Sequence, residues 1–215
     1  MELVKIKNMI WDFDGTLVDT YPVMADSFLK AVIELGISAS YDEVYRNLKV
    51  SLSEAIEVYS MGDENLKRNI RDGFEQYEAM TSPEVYKLFD DTLTTLIALK
   101  NKGIRHFILT HRNATTHQIL KANDLQDYFD DLVISDDGFK RKPDPEAFTY
   151  LIEKHGLNRA ETLSVGDRLF DVEAGKNAGI KGCLILDAYN GHLCDQVDYT
   201  TKNRGEIVDL PIYDE

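Results

Sequence analysis

Cysteine is scarce in this chain. There are two, Cys183 and Cys194, and neither belongs to a Cys-x-x-Cys or Cys/His pattern. That arrangement gives no support for zinc and fits reduced thiols. Cys183 lies in the apolar run Gly-Cys-Leu-Ile-Leu and reads as a buried small hydrophobe. Long apolar runs are missing too. The first, Met9 to Phe13, is too short for a signal peptide and ends in acids. No segment approaches the length of a membrane span. Positive charge is in deficit, with 24 Lys and Arg against 38 Asp and Glu and a net charge of −14. Such a surface is repelled by nucleic-acid backbones and anionic membranes, which excludes both as expected partners. Internal repeats and low-complexity tracts are absent. A cytoplasmic location is expected, and no oligomeric state can be read from the composition.

What is present is enough for one sizeable core, or a core with a smaller appendage: 215 residues, 43% of them hydrophobic. The second half alternates between two patterns. Short β-type runs stand at Arg105 to Thr110, Asp131 to Ser135, Glu161 to Gly166 and Gly182 to Leu186, with a weaker one at Val197 to Thr201. Helical spacing fills the gaps, over Pro83 to Lys100, Ala114 to Ala122, Asp144 to His155 and Leu169 to Ala178. Gly103, Gly156 and Gly179 stand where helix C-caps belong. Strand, helix and strand with short connections predict βαβ units on a parallel sheet with right-handed crossovers.

The first strand, about Val4 to Phe13, is expected in the same sheet. After it comes a long stretch without a strand pattern. Helical patterns run over Val23 to Leu35, Tyr41 to Leu48, Leu52 to Tyr59 and Asn65 to Met80. The predicted architecture is α/β: a doubly wound, Rossmann-like parallel sheet core made of residues 1–16 and 84–215, with an all-helical domain inserted at 17–83. Pro22 and the Thr81-Ser82-Pro83 stretch mark its hinges.

Ligands of open parallel sheets bind beyond the carboxyl ends of the strands. Polar groups recur there. Asp12-Phe-Asp14-Gly-Thr16 follows the first strand and Thr110-His-Arg the second. Lys140-Arg-Lys142-Pro comes after the third, and Gly166-Asp-Arg-Leu-Phe-Asp171 after the fourth. Asp12, Asp14 and Asp167 brought together would repel one another strongly. A divalent cation would relieve that, and oxygen ligands without histidine favour Mg²⁺ over zinc. A phosphate monoester suits the same charges. A lysine ammonium and Mg²⁺ offset the repulsion between its dianion and an attacking carboxylate.

These residues resemble the haloacid dehalogenase superfamily, in the branch of phosphoglycolate phosphatases and β-phosphoglucomutases that carries a helical cap after the first strand. Its four motifs appear in order: Asp-x-Asp-Gly-Thr at Asp12 to Thr16, a strand-end Ser or Thr at Thr110, a lysine before proline at Lys142, and Gly-Asp-x-x-x-Asp at Gly166 to Asp171. The first motif alone arises by chance on the order of once in a thousand sequences of this length.

The resemblance implies a role for each position. Asp12 is the expected nucleophile, forming an aspartyl-phosphate, and Asp14 the general acid and base, whose backbone carbonyl also meets the metal. Gly15 lets the backbone approach the phosphate. Thr110 and Lys142 bind the phosphoryl oxygens, Lys142 also orienting Asp12, and His111 adjoins them as a phosphate-binding candidate. Mg²⁺ is the expected cofactor, held by Asp12, Asp14 and Asp167, with Asp171 one helical turn behind. The substrate is a small-molecule phosphate ester, chosen by the cap. A phosphoglucomutase-like transferase shares the same chemistry. A non-catalytic protein that binds or regulates through the fold is the remaining alternative. In the cap, the region that matches the family's Arg and Gly loop reads Tyr45-Arg-Asn-Leu-Lys-Val-Ser-Leu52 and has no glycine. Arg46 and Lys49 are the candidate anion-binding groups there.

Overall fold

The computed structural model describes residues 5–191 and 197–212. Cys194 lies outside them, as does Val4. Six parallel strands make one sheet: β1 (Asn8–Trp11), β4 (Arg105–Leu109), β5 (Asp131–Val133), β6 (Thr162–Gly166), β7 (Lys181–Ile185) and β8 (Tyr199–Thr201). Their order is β5-β4-β1-β6-β7-β8. The chain therefore builds outward from β1 on one side, then returns to build on the other. β1 sits at the switch point, hydrogen-bonded to β4 and β6, with Ile10 opposite Phe107 and Ser164. All four of its residues are buried, as a central parallel strand requires.

Helices α5 (Thr92–Asn101), α6 (Thr115–Ala122), α7 (Glu146–His155) and α8 (Leu169–Asn177) connect the strands. α8 lies close against β6 and β7 because glycines open the way. A Cβ on Gly175 would stand 2.3 Å from Ser164 Oγ, and one on Gly182 would stand 2.2 Å from Val172 Cγ1. Ile10, Phe107, Leu109, Phe148, Leu151 and Ala174 share one buried cluster of this sheet core.

The chain divides into two compact units, residues 19–87 and the rest. The 19–87 unit holds α1 (Tyr21–Glu34), α2 (Tyr41–Val50), α3 (Leu52–Ser60) and α4 (Glu64–Met80). Its starts are written locally. Ser40 and Glu43 form a capping box on α2, Ser51 caps α3 and Asp63 caps α4. Phe28, Val44, Leu48, Ile56, Ile70 and Phe74 form its own core. Two short strands, β2 (Val18–Asp19) and β3 (Lys87–Leu88), pair where the chain leaves and re-enters the sheet unit.

One expected element is corrected. The helix read over Pro83 to Lys100 is a 3₁₀ turn at Pro83–Val85, the strand β3, and a helix that begins only at Thr92. Apolar spacing runs on across Asp90 and Asp91, although the helix starts only after them. Asp91 stands at the N-cap, where its carboxylate accepts the Gly205 N–H at 2.9 Å. Phe89 lies under the Arg204 guanidinium, 3.4 Å from the ring centroid.

Candidate active site

The carboxyl ends of β1, β4 and β6 meet at the switch point, and the polar residues beyond them converge. Asp12 comes directly after β1. Its N–H donates to Val165 O at 2.8 Å, which extends the ladder by one residue and holds the carboxylate at the strand end. The loop then closes tightly. Gly15 N–H donates to Val18 O at 2.8 Å and Leu17 N–H to Phe13 O at 3.0 Å. Gly15 has φ +77°, which favours glycine. Thr16 Oγ1 turns back to Asp12 Oδ2 at 3.3 Å.

Lys142 is the hub. Its ammonium donates to Asp12 Oδ1 at 2.7 Å, Asp171 Oδ1 at 2.5 Å and Leu109 O at 3.0 Å. Three donors thus meet three acceptors in a fully buried setting. Lys140 and Arg141, its neighbours in the basic run, are both exposed. Asp171 works with both oxygens. Oδ1 meets Lys142, and Oδ2 accepts the Arg168 N–H at 3.2 Å at the start of α8. A first-turn helix acid and a lysine partner are therefore one residue here.

Asp12, Asp167 and Asp171 offer carboxylate oxygens that all lie within 4.8 Å of one another. Arg168 Nε is 3.7 Å from Asp167 and 4.0 Å from Asp171. The Asp14 carboxylate is not part of that group. Its Oδ1 accepts from Arg112 Nε at 2.7 Å, so its carboxylate is paired elsewhere. Asp171, expected one helical turn behind Asp167, holds Lys142 and also has an oxygen in that group. Four buried carboxylates thus face three cations, Lys142, Arg112 and Arg168. Three oxygen donors this close, with a surplus of negative charge, fit a hard divalent cation.

Residues 9–185 match the family described as haloacid dehalogenase-like hydrolase. The chain belongs to that family. It is 30% identical to the phosphoglycolate phosphatase of Vibrio parahaemolyticus over 195 residues, covering 86% of each chain. Against the pyrophosphatase PpaX of Oceanobacillus iheyensis, identity is 26% over 183 residues, covering 85% of this chain and 84% of that one. A solved hydrolase from Streptococcus pneumoniae TIGR4 is 34% identical with a TM-score of 0.62, covering 90% of this chain and all of that one.

Charge crowding shapes titration in this haloacid dehalogenase-like hydrolase. Burial, and then the Asp171 carboxylate, push Asp12 up to about 7 against the pull of Lys142 and Arg168. Burial works against the Lys142 ammonium, but Asp12 and Asp171 outweigh it and raise its pKa above the ordinary lysine value. His111 is pushed down to about 2, first by burial and then by Lys142, Arg141 and Arg168. It is neutral, and its Nε2 accepts the Lys142 backbone N–H at 2.9 Å. That fixes the proton on Nδ1. His111 therefore holds the Lys142 loop in place from the end of β4, and the ring lies nearly parallel to Phe170, centroids 6.1 Å apart.

Thr110 closes β4, its N–H donating to Val133 O at 3.0 Å and its Oγ1 accepting the Arg112 N–H at 3.1 Å.

Three supporting residues of the hydrolase lie outside the four motifs. Arg112 holds Asp14; its one sequence signal is a cation two places after the strand-end Thr110. Asn190 donates to Asp167 O at 2.7 Å and Ile185 O at 2.8 Å, and accepts the Asp187 N–H at 2.7 Å. Arg204 donates to Thr16 O at 2.6 Å and Gly15 O at 2.7 Å. It clamps the first motif from 188 residues away, which no local pattern announces.

Proposed function

We propose that this hydrolase is a Mg²⁺-dependent phosphatase of small phosphomonoesters, working through an aspartyl-phosphate on Asp12. The observation that carries the reading is the Lys142 ammonium held between Asp12 and Asp171, beside a group of three carboxylate oxygens within 4.8 Å. A carboxylate, a fixed ammonium and hard oxygen donors thus stand together at the switch point of one parallel sheet. The phosphoglycolate phosphatase relative supports a phosphate ester as substrate.

Asp12 attacks phosphorus through a carboxylate oxygen, and the bond to the ester oxygen breaks. Asp14 gives its proton to the departing alkoxide, so a neutral alcohol leaves. Asp14, now ionised, takes a proton from water, and that water oxygen displaces Asp12 from phosphorus. Inorganic phosphate and the starting carboxylates remain. Bound Mg²⁺ would supply two positive charges against the phosphoryl dianion and favour the ionised form of Asp12. Asp12 and Asp167 would hold it by their carboxylates and Asp14 by its backbone carbonyl, with Asp171 alongside. Lys142 stays charged and offsets the charge that Asp12 carries into the attack. Thr110 donates to a phosphoryl oxygen, and Gly15 keeps the adjacent backbone close. Proton transfer by a placed acid is typically worth about 10²–10⁴-fold in rate.

The test is turnover of p-nitrophenyl phosphate and of a phosphate-ester panel, with Mg²⁺ and then with EDTA. Mg²⁺-dependent release of phosphate is expected, and it disappears in Asp12→Asn. The reading fails if no ester is turned over with Mg²⁺. Conversion of β-glucose 1-phosphate to glucose 6-phosphate without free phosphate, tracked by phosphorus NMR, would replace phosphatase with mutase.

A further inference from the structure

Asp14 must stand where the leaving oxygen is, opposite the oxygen of Asp12 that attacks. An in-line displacement puts those two atoms on opposite sides of phosphorus. Backbone connection alone does not secure this. Asp14 lies on a loop, is followed by Gly15 at φ +77°, and has a short side chain with three staggered settings. Nor do the other carboxylates secure it, because the Asp14 side chain is outside the Asp12, Asp167 and Asp171 group.

We propose that Arg112 is the positioning residue for Asp14, setting the carboxyl at the leaving-group side of the ester. This rests on the reading of Asp14 as the acid and base. The Nε to Oδ1 bond is 2.7 Å, between side chains only 4% and 12% exposed. A charge-assisted bond this short, shielded from water, is strong and directional. Nε projects from a planar guanidinium along one line, which a lysine ammonium does not reproduce. Arg112 is itself fixed at both backbone groups. Its N–H donates to Thr110 Oγ1 at 3.1 Å, and its carbonyl accepts the Ser135 N–H at 3.0 Å. Two residues on, the Ala114 N–H donates to Asp136 at 3.1 Å. The braced end of β4 thereby reaches across to the loop of β1. Thr110 serves twice, holding the phosphoryl group and the backbone of the residue that aims the acid.

The experiment compares kcat/KM of wild type, Arg112→Gln and Asp14→Asn across phosphate esters with different leaving groups. p-Nitrophenolate departs without a proton; a simple alkoxide does not. In Arg112→Gln, kcat/KM for an alkyl phosphate is expected to fall about tenfold or more beyond its fall for p-nitrophenyl phosphate, since small misplacements of a catalytic group are costly. Asp14→Asn shows the same selectivity in larger measure. An equal loss on both esters in Arg112→Gln, with selectivity kept in Asp14→Asn, overturns the role of Arg112 alone. Equal losses in Asp14→Asn overturn the acid assignment and this inference with it. Arg112→Lys keeps the charge and the stem, carries the same expectation in smaller measure, and serves if the glutamine variant fails to fold.

Discussion

At Gly166 an added Cβ would stand 2.4 Å from Asp171 Cβ and 2.7 Å from its carboxylate carbon. Asp171 can neither cap α8 nor hold Lys142 unless position 166 lacks a side chain. Gly166→Ala is therefore expected to lose most turnover and about 1–3 kcal/mol of stability, the usual cost of overpacking, measured by assay and urea melts. A second residue sets an acid limit far from the chemistry. His106 is buried in β4, where its Nδ1 accepts the Trp11 Nε1–H at 3.1 Å. Burial pushes it down from 6.5 to about 4. Below pH 6.5 the unfolded chain takes up a proton that the folded chain refuses until about 4. The contribution is whole above 6.5 and is lost as pH falls through that window. Its size is on the order of 3 kcal/mol. Denaturant melts at several pH values are expected to show a shallower loss between pH 6.5 and 4 in His106→Gln than in wild type.

Among the elements, the turn after β7 matters as much to the site as the strands do. Asn190 ties the end of β7 to the backbone of Asp167, with both amide hydrogens and the amide oxygen engaged. Asn190→Ala leaves the Asp167 carbonyl without this donor, so the Mg²⁺ concentration for half-maximal activity is expected to rise about tenfold or more. An Mg²⁺ titration of initial rates checks it; an unchanged midpoint would remove Asn190 from the support of Asp167. The helices are legible to different degrees for physical reasons. Ser40, Ser51 and Asp63 announce their helices because a cap is a local bond between neighbours in sequence. The start of α5 is hidden because apolar spacing runs on through Asp90 and Asp91. Phe89 there answers to Arg204, a residue far along the chain.

For the whole molecule, a parallel sheet writes its order into alternation, and its site into the residues just past each strand. The positions of Asp12, Thr110, Lys142, Asp167 and Asp171 are readable for that reason. Arg112 is readable as a neighbour of Thr110, but not its hold on Asp14; Asn190 and Arg204 are not readable, because each acts through a contact that only the folded chain creates. The site also sets stability against charge. Burial and Asp171 raise Asp12 from 3.8 to about 7. Between those values the folded metal-free protein holds a proton that the unfolded chain releases, so stability falls as pH rises through the window. Asp12→Asn is expected to melt at a higher temperature than wild type in EDTA at a pH of about 7.5, just above that window. Mg²⁺ is expected to raise the wild-type melting temperature more than that of the variant. Calorimetry of the two proteins with and without Mg²⁺ would show it.

The central place of β1 has a consequence for synthesis. The strand is complete at Trp11, yet its two hydrogen-bonding neighbours begin at Arg105 and Thr162. At translation speeds of about 5–20 residues per second, the nascent chain carries this unpaired apolar segment for roughly five to twenty seconds before the first neighbour is made. The clamp on the first motif, Arg204, is added 188 positions after the Thr16 carbonyl it holds. The catalytic loop is thus made early and completed late, once both halves of the sheet have been synthesised.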